Sequence, residues 1–259
     1  MNRQAAETAS IAPQSTWRSS IDRHPLLAAT IAFVTYLIVS TALGLAAMAL
    51  FPQAQPEFVA LVALSILVAL SLSTLHWWHA AGFNAPPEWR AIGLIWFPFA
   101  VVLILPFLMG IKPSDWGTFG YLVVGYALTG FMEEGFMRGI VLRMLKPLGV
   151  TRSVVLSSLL FGLMHVANLL YRNPFIVLAQ MLGAFVHGIG LASIRLRTNN
   201  IWFAVVLHAL HDLFLKYSNF PTIPLDVVQV TLLMFYGIYL LRSWKGPDRA
   251  AYEITAPQA

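Results

Sequence analysis

The sequence predicts an all-α protein, a polytopic integral membrane bundle of about eight transmembrane helices. Two observations predict it. Of the 259 residues, 58% are hydrophobic and only 10% are charged, whereas an ordinary soluble domain carries roughly a quarter charged residues. The apolar residues also run in stretches near the ~20 residues that a helix needs to cross a bilayer, and the mean hydropathy is +0.73. A soluble α/β domain of this length would need more surface charge than the chain supplies.

The elements follow in order. Residues 1–24 are polar and mixed and read as an N-terminal tail. The first span covers about 26–51; it lacks the small-residue cleavage pattern of a signal peptide and reads as a retained span. The second covers about 58–79 and ends in "LHWWH", where His76 and His79 fit an interfacial aromatic–polar belt. The third, about 91–110, contains Pro98 and Pro106, which can bend it. The fourth runs about 116–137 and is followed by a loop over 138–152. The remaining spans cover about 153–171, 174–194, 201–217 and 224–243, and residues 244–259 form a C-terminal tail. One bundle over 25–243 accounts for the chain, with no internal repeat. Glycines 183, 188 and 190 are expected to let the sixth span approach a neighbour closely.

Eight spans put both termini on one side. With the N-terminus in the cytoplasm, thirteen of the sixteen Lys and Arg residues fall inside, and only Lys112, Arg172 and Lys216 fall outside. The positive-inside rule favours that orientation. Trp77, Trp78, Trp89, Trp116, Trp202 and Trp244 lie near span ends, as interfacial tryptophans do. Arg195 and Arg197, in a short loop "RLRTNN", fit the same topology, with steering of an acidic peptide or lipid headgroup as the alternative. The basic residues thus have a topological reason, and no basic–aromatic stripe suggests nucleic acid. The absence of cysteine excludes disulfides and thiolate catalysis.

Ionisable residues inside spans are costly unless paired, hydrated or functional. The stretch "GFMEEGFMRG" at 130–139 carries Glu133, Glu134 and Arg138 near the end of the fourth span. His165 lies in the fifth, His187 in the sixth, and His208, His211 and Asp212 in the seventh. At 1.5 Å per residue, His208 and His187 sit at similar depth, roughly 10 Å from the cytoplasmic ends of their spans. Residues four apart share a helix face, so Glu134 faces Arg138 and His208 faces Asp212. Glu133, rotated by about 100° from Glu134, is left without that cation. The two glutamates are therefore expected to divide labour, with Glu134 fixing the local field and Glu133 acting as a general base.

Such a set can activate water, with His165 holding the water and His208 donating to an oxyanion. The same residue types, Glu133, His165 and His208, can instead bind zinc. No HExxH helix is present to enforce the second reading. His187, His211 and Asn168 are expected to stand behind the site, and Phe161 to pack against it. A proton-coupled transporter is the rival class, although the paired repeats often seen in transporters are not visible. A noncatalytic membrane protein is the other.

The set Glu133-Glu134-x-x-x-Arg138, Phe161-x-x-x-His165 and His208-x-x-x-Asp212 resembles, in order, the three motifs of the CPBP intramembrane protease family. That family includes the type II CAAX prenyl proteases, the Ras-converting-enzyme group and bacteriocin self-immunity proteins. The resemblance spans about 90–217. It implies an intramembrane endopeptidase with Glu133 catalytic, supported by Glu134 and Arg138, and with His165 and His208 in the site. Asp212 stands where the family often has asparagine; an ionised aspartate cannot donate to an oxyanion, which leaves that role to His208. The resemblance further implies glutamate-activated water without a cofactor, with a zinc-dependent version as the alternative. The implied partners are membrane lipids and a peptide or lipidated protein substrate. The implied location is a cytoplasmic (plasma) membrane of bacterial type. No feature of the sequence sets the oligomeric state.

Overall fold

The computed structural model describes residues 16–85, 90–245 and 249. Residues 1–15 of the predicted N-terminal tail, Trp89, and most of the C-terminal tail lie outside the described residues. The described residues form α1 (Thr16–Arg23), α2 (Pro25–Leu50), α3 (Pro56–Leu75), α4 (Arg90–Gly93), α5 (Trp96–Ile104), α6 (Trp116–Glu134), α7 (Leu142–Leu145), α8 (Val150–Met164), α9 (Pro174–Thr198), α10 (Trp202–Tyr217) and α11 (Thr222–Ser243). Among them, α2, α3, α8 with its continuation to Leu170, α9 and α11 are long and apolar enough to cross a membrane. The protein is an all-α, multi-span integral membrane protein.

Local chemistry sets the helix starts. Pro25, Pro56 and Pro174 occupy the first helical position of α2, α3 and α9, where the missing N–H costs nothing. Asp115 caps α6 by accepting from the Thr118 amide at 2.9 Å. The hydrogen bonds from Thr118 hold the Asp115 carboxyl below its ordinary range. Asn173 caps α9 by accepting from Phe175 N at 2.9 Å.

Several boundaries differ from the sequence reading. The second span stops at Leu75, because His76 turns left-handed at φ 54°. His76 to His79 therefore lie in a turn rather than at a helix end. The third span is broken into α4, α5 and a 3-10 turn at Leu105–Met109 that begins beside Pro106. The predicted loop over 138–152 is helical through Leu148: α6 passes into a π-helical segment at Gly135–Val141, then α7, then a 3-10 turn. Arg195 and Arg197 are not in a loop either, since α9 runs on to Thr198. Arg195 is buried and donates from Nε to Ala81 O at 2.9 Å and from Nη2 to Ala80 O at 2.8 Å. It clamps the turn after α3, and its charge is used inside the fold rather than offered to a headgroup. Trp77 and Trp244 lie just beyond the ends of α3 and α11, and both are buried against the protein.

Two halves of the bundle meet around the ionisable residues. On one side α2, α3, the π segment and α8 share a core built on Leu72, Met137, Val141, Leu145 and Phe161. On the other, α5, α9, α10 and α11 pack around Val102, Leu191, Ile194, Leu207 and Leu233. Gln229 of α11 donates to Val101 O at 3.1 Å, tying the broken third span to the second half. Opposite the Arg195 clamp, Lys112 N donates to Tyr217 O at 2.7 Å and Asn219 N to Gly110 O at 3.0 Å, joining two loops.

Helix packing in lipid relies on small residues that let backbones approach. A Cβ on Gly190 would lie 2.8 Å from Leu233 O, and one on Gly237 would lie 2.9 Å from Gly190 Cα. The α9–α11 contact is thus backbone on backbone. Gly183 differs from the expectation for it: a Cβ there meets only Asp226 Oδ2, at an ordinary 3.5 Å. Gly237→Ala is expected to destabilise the bundle by about 1–3 kcal/mol through overpacking. Gly44→Ala, whose new Cβ would meet nothing within 4 Å, is expected to leave the thermal midpoint in detergent unchanged. A thermal unfolding series on both variants checks this.

Candidate active site

The site is built around α6 as it widens. Glu133 and Glu134 are the last two residues of α6, and the π segment begins at Gly135. A π segment within a helix is uncommon and frequent at functional sites. All seven of its residues are buried. Gly139 makes room, since a Cβ there would lie 3.2 Å from Ala81 Cβ.

Glu134 and Arg138 pair as predicted. Arg138 Nε lies 3.1 Å from Glu134 Oε2, and both side chains are 0% exposed. The guanidinium lies over the Phe161 ring, 4.2 Å from its centroid, a cation–π contact that gains strength when desolvated. Gly188 leaves it room: a Cβ there would sit 3.1 Å from Arg138 Nη2. Phe161 therefore does more than fill space. It faces the guanidinium and meets the His165 and His208 rings edge-on, at 5.5 and 5.9 Å between centroids.

The second glutamate oxygen fixes His208. Its Nδ1 lies 2.9 Å from Glu134 Oε1. A carboxylate can only accept, so Nδ1 carries the proton. The ring's Nε2 then points between two further carboxylates, 3.7 Å from Glu133 Oε2 and 3.7 Å from Asp212 Oδ2. These are ion-pair distances, longer than hydrogen bonds. Asp212 thus shares a face with His208, as expected from their spacing. No hydrogen bond holds Glu133 among the described residues, and its side chain is 15% exposed.

His165 sits where α8 tightens into a 3-10 helix, His165–Leu170. Its Nδ1 lies 3.1 Å from Phe161 O. The carbonyl accepts, so Nδ1 donates and Nε2 is left with a lone pair. Among the described residues no three His, Asp or Glu side chains are grouped to hold a metal ion. Glu133, His165 and His208 are the residues that a zinc ion would require if one were bound.

The remaining sequence-predicted residues stand around this cluster. His187 is buried, with its ring 5.5 Å from that of His208 and 4.6 Å from that of His211. His211 turns away from the glutamates and pairs with Asp226 through Nε2, at 3.1 Å. Asn168 donates to Gln180 Oε1 at 2.7 Å, off the site, and accepts from the Tyr171 hydroxyl. Two neighbours escaped the sequence reading. Tyr36 of α2 stacks on Phe136 at 4.0 Å and donates to the Met132 sulfur, bracing the helix that carries the glutamates. Asp226 had a usable signal: it is an ionisable residue near the start of the eighth span.

Comparison with known proteins adds one finding. Residues 115–214 match the family model described as Rce1-like, type II CAAX prenyl endopeptidase. No curated protein matches the chain. The matched stretch is narrower than the 90–217 over which the motifs suggested resemblance, yet it contains the glutamates, Arg138, Phe161, His165, His187, His208 and Asp212. Over residues 115–214, somewhat less than half of its length, the chain is thus similar to the Rce1-like, type II CAAX prenyl endopeptidase family.

Proposed function

We propose that the protein hydrolyses a peptide bond of a membrane-associated or lipidated protein with a water activated by Glu133. One observation carries the reading: of two adjacent glutamates, Glu134 is held by Arg138 and His208, while Glu133 has no hydrogen bond among the described residues. A carboxylate committed to a buried cation is a poor base; an uncommitted one is available. Glu133 takes one proton of the water as its oxygen bonds to the scissile carbonyl carbon. His165 Nε2 accepts the water's other O–H and orients it. The carbonyl oxygen becomes an oxyanion, and His208, with a proton on Nε2, donates to it. Glu133 then returns its proton to the amide nitrogen as the C–N bond breaks. Asp212 steers the His208 ring electrostatically. A membrane-associated substrate is supported by the place of the site, on helices that stand among the five long apolar ones.

The same proposal includes eight crossings. α5 with the turn to Met109, α6 with its π segment, and α10 each stand where the sequence places a span, alongside the five long helices. The termini then face the cytoplasm of a plasma membrane, supported by the thirteen-to-three distribution of basic residues.

Glu133→Gln keeps the shape and removes the basicity. Cleavage of a membrane-tethered fluorogenic peptide in proteoliposomes is expected to fall by at least about 10²-fold, the scale of lost general-base help. Near-normal turnover would remove Glu133 from the mechanism, and solute uptake without cleavage would favour the transporter reading.

The orientation has its own test, clean because the chain has no cysteine. Thr151→Cys and Gln53→Cys, both at exposed positions, are labelled in intact cells with an impermeant maleimide. Only Gln53→Cys is expected to react; the reverse pattern would invert the topology.

A further inference from the structure

Beyond the catalytic cluster, three buried or half-buried ionisable side chains have no task in the hydrolysis. His187, His211 and Asp226 continue from His208 in an unbroken line. The His187 ring lies between those of His208 and His211, and His211 Nε2 meets Asp226 Oδ1 at 3.1 Å. The line runs toward one end of the bundle. Asp226 is the fifth residue of α11 and His211 is six residues before the end of α10, so both lie roughly 6–9 Å from that end at 1.5 Å per residue.

Two nitrogens in this line are buried without a protein hydrogen-bond partner: His187 Nε2 and His211 Nδ1. A polar atom left so in an apolar setting is costly, and natural proteins commonly satisfy such atoms with water. The line also ends at a partly exposed group. Asp226 keeps 34% of its side chain exposed. Gly183 leaves space beside it, because a Cβ there would stand 3.5 Å from Asp226 Oδ2 and meet nothing closer. On α9, Gln180, Gly183 and His187 recur at spacings of three and four and so share one face. The charged and titratable groups around His187 are His208 and His211 from α10 and Arg138 from the π segment.

We infer that His187, His211, Asp226 and the open side of Gly183 line a water path to the catalytic cluster from the end of the bundle where α9 and α11 begin. The path takes water alone, as its only ligand. Its use in hydrolysis rests on the proposed function, since a site among buried helices consumes one water per bond cleaved. Its existence does not, and it is tested without turnover.

The test uses the full chain, reconstituted with one cysteine at a time. A charged alkylthiosulfonate reacts with the thiolate, which forms in water and not in lipid. Gly183→Cys fits the available space. Leu182→Cys, at a neighbouring position that is 64% exposed on the outside of the bundle, is the lipid-facing control. Tyr171→Cys and Thr151→Cys, both exposed, mark the two sides. Gly183→Cys is expected to react about tenfold or more faster than Leu182→Cys, only from the side that labels Tyr171→Cys, and Asp226→Leu in the same chain should slow it. Equal rates at 182 and 183, or reaction only from the Thr151 side, would overturn the path. Labelling as expected in a protein that cleaves no peptide would leave the path standing and sink the protease reading instead.

Discussion

The pairing of Glu134 with Arg138 is the interaction on which the rest of this site depends. Both side chains are fully buried, 3.1 Å apart, and an unpaired charge there would cost several kcal/mol. Each therefore constrains its neighbours. Arg138 needs the bare backbone of Gly188 and the face of Phe161. Glu134 spends its second oxygen on His208, which fixes the imidazole and aims its far nitrogen at Glu133 and Asp212. Because one glutamate is committed, its neighbour is left uncommitted. The division of labour between adjacent identical residues is a consequence of helix geometry and of which one meets the cation.

Irregular backbone recurs wherever this cluster is held. α6 widens into a π segment just after the glutamates, and α8 tightens into a 3-10 turn at His165. Departures from α-helical geometry re-aim side chains and alter which backbone groups are paired. Inside a bilayer they are tolerated only where protein or water satisfies the backbone. Flanking helices hold the neighbouring elements: Tyr36 of α2 braces the glutamate helix, and Arg195 of α9 pins the turn that follows α3.

Much of this was legible in the sequence, for physical reasons. Long apolar runs fix where helices lie, and a helix stands at each predicted span. Ionisable residues are so costly in lipid that their positions marked the cluster, and the i,i+4 rule placed Arg138 on Glu134 and Asp212 on His208. What was not legible depends on tertiary hydrogen bonding. The break at His76 and the π segment are changes of backbone geometry that an apolar window does not register, and the turn that Arg195 of α9 clamps lies far along the chain. Arg195 read as a topological charge because its acceptors, Ala80 and Ala81, are backbone carbonyls without a sequence signature. Gly183 read as a packing glycine, but the space beside it is bounded by Asp226 rather than by backbone.

The most direct measurement of the central claim is a double-mutant cycle on unfolding, using Glu134→Gln, Arg138→Met and the pair together. Each single variant leaves one buried group without its partner and is expected to lose about 3–5 kcal/mol. The double variant removes both and should lose clearly less than the sum, a coupling of about 2 kcal/mol or more for residues in direct contact. Losses that add to within about 0.5 kcal/mol would show that the two groups act independently, and the reason given for leaving Glu133 free would be wrong.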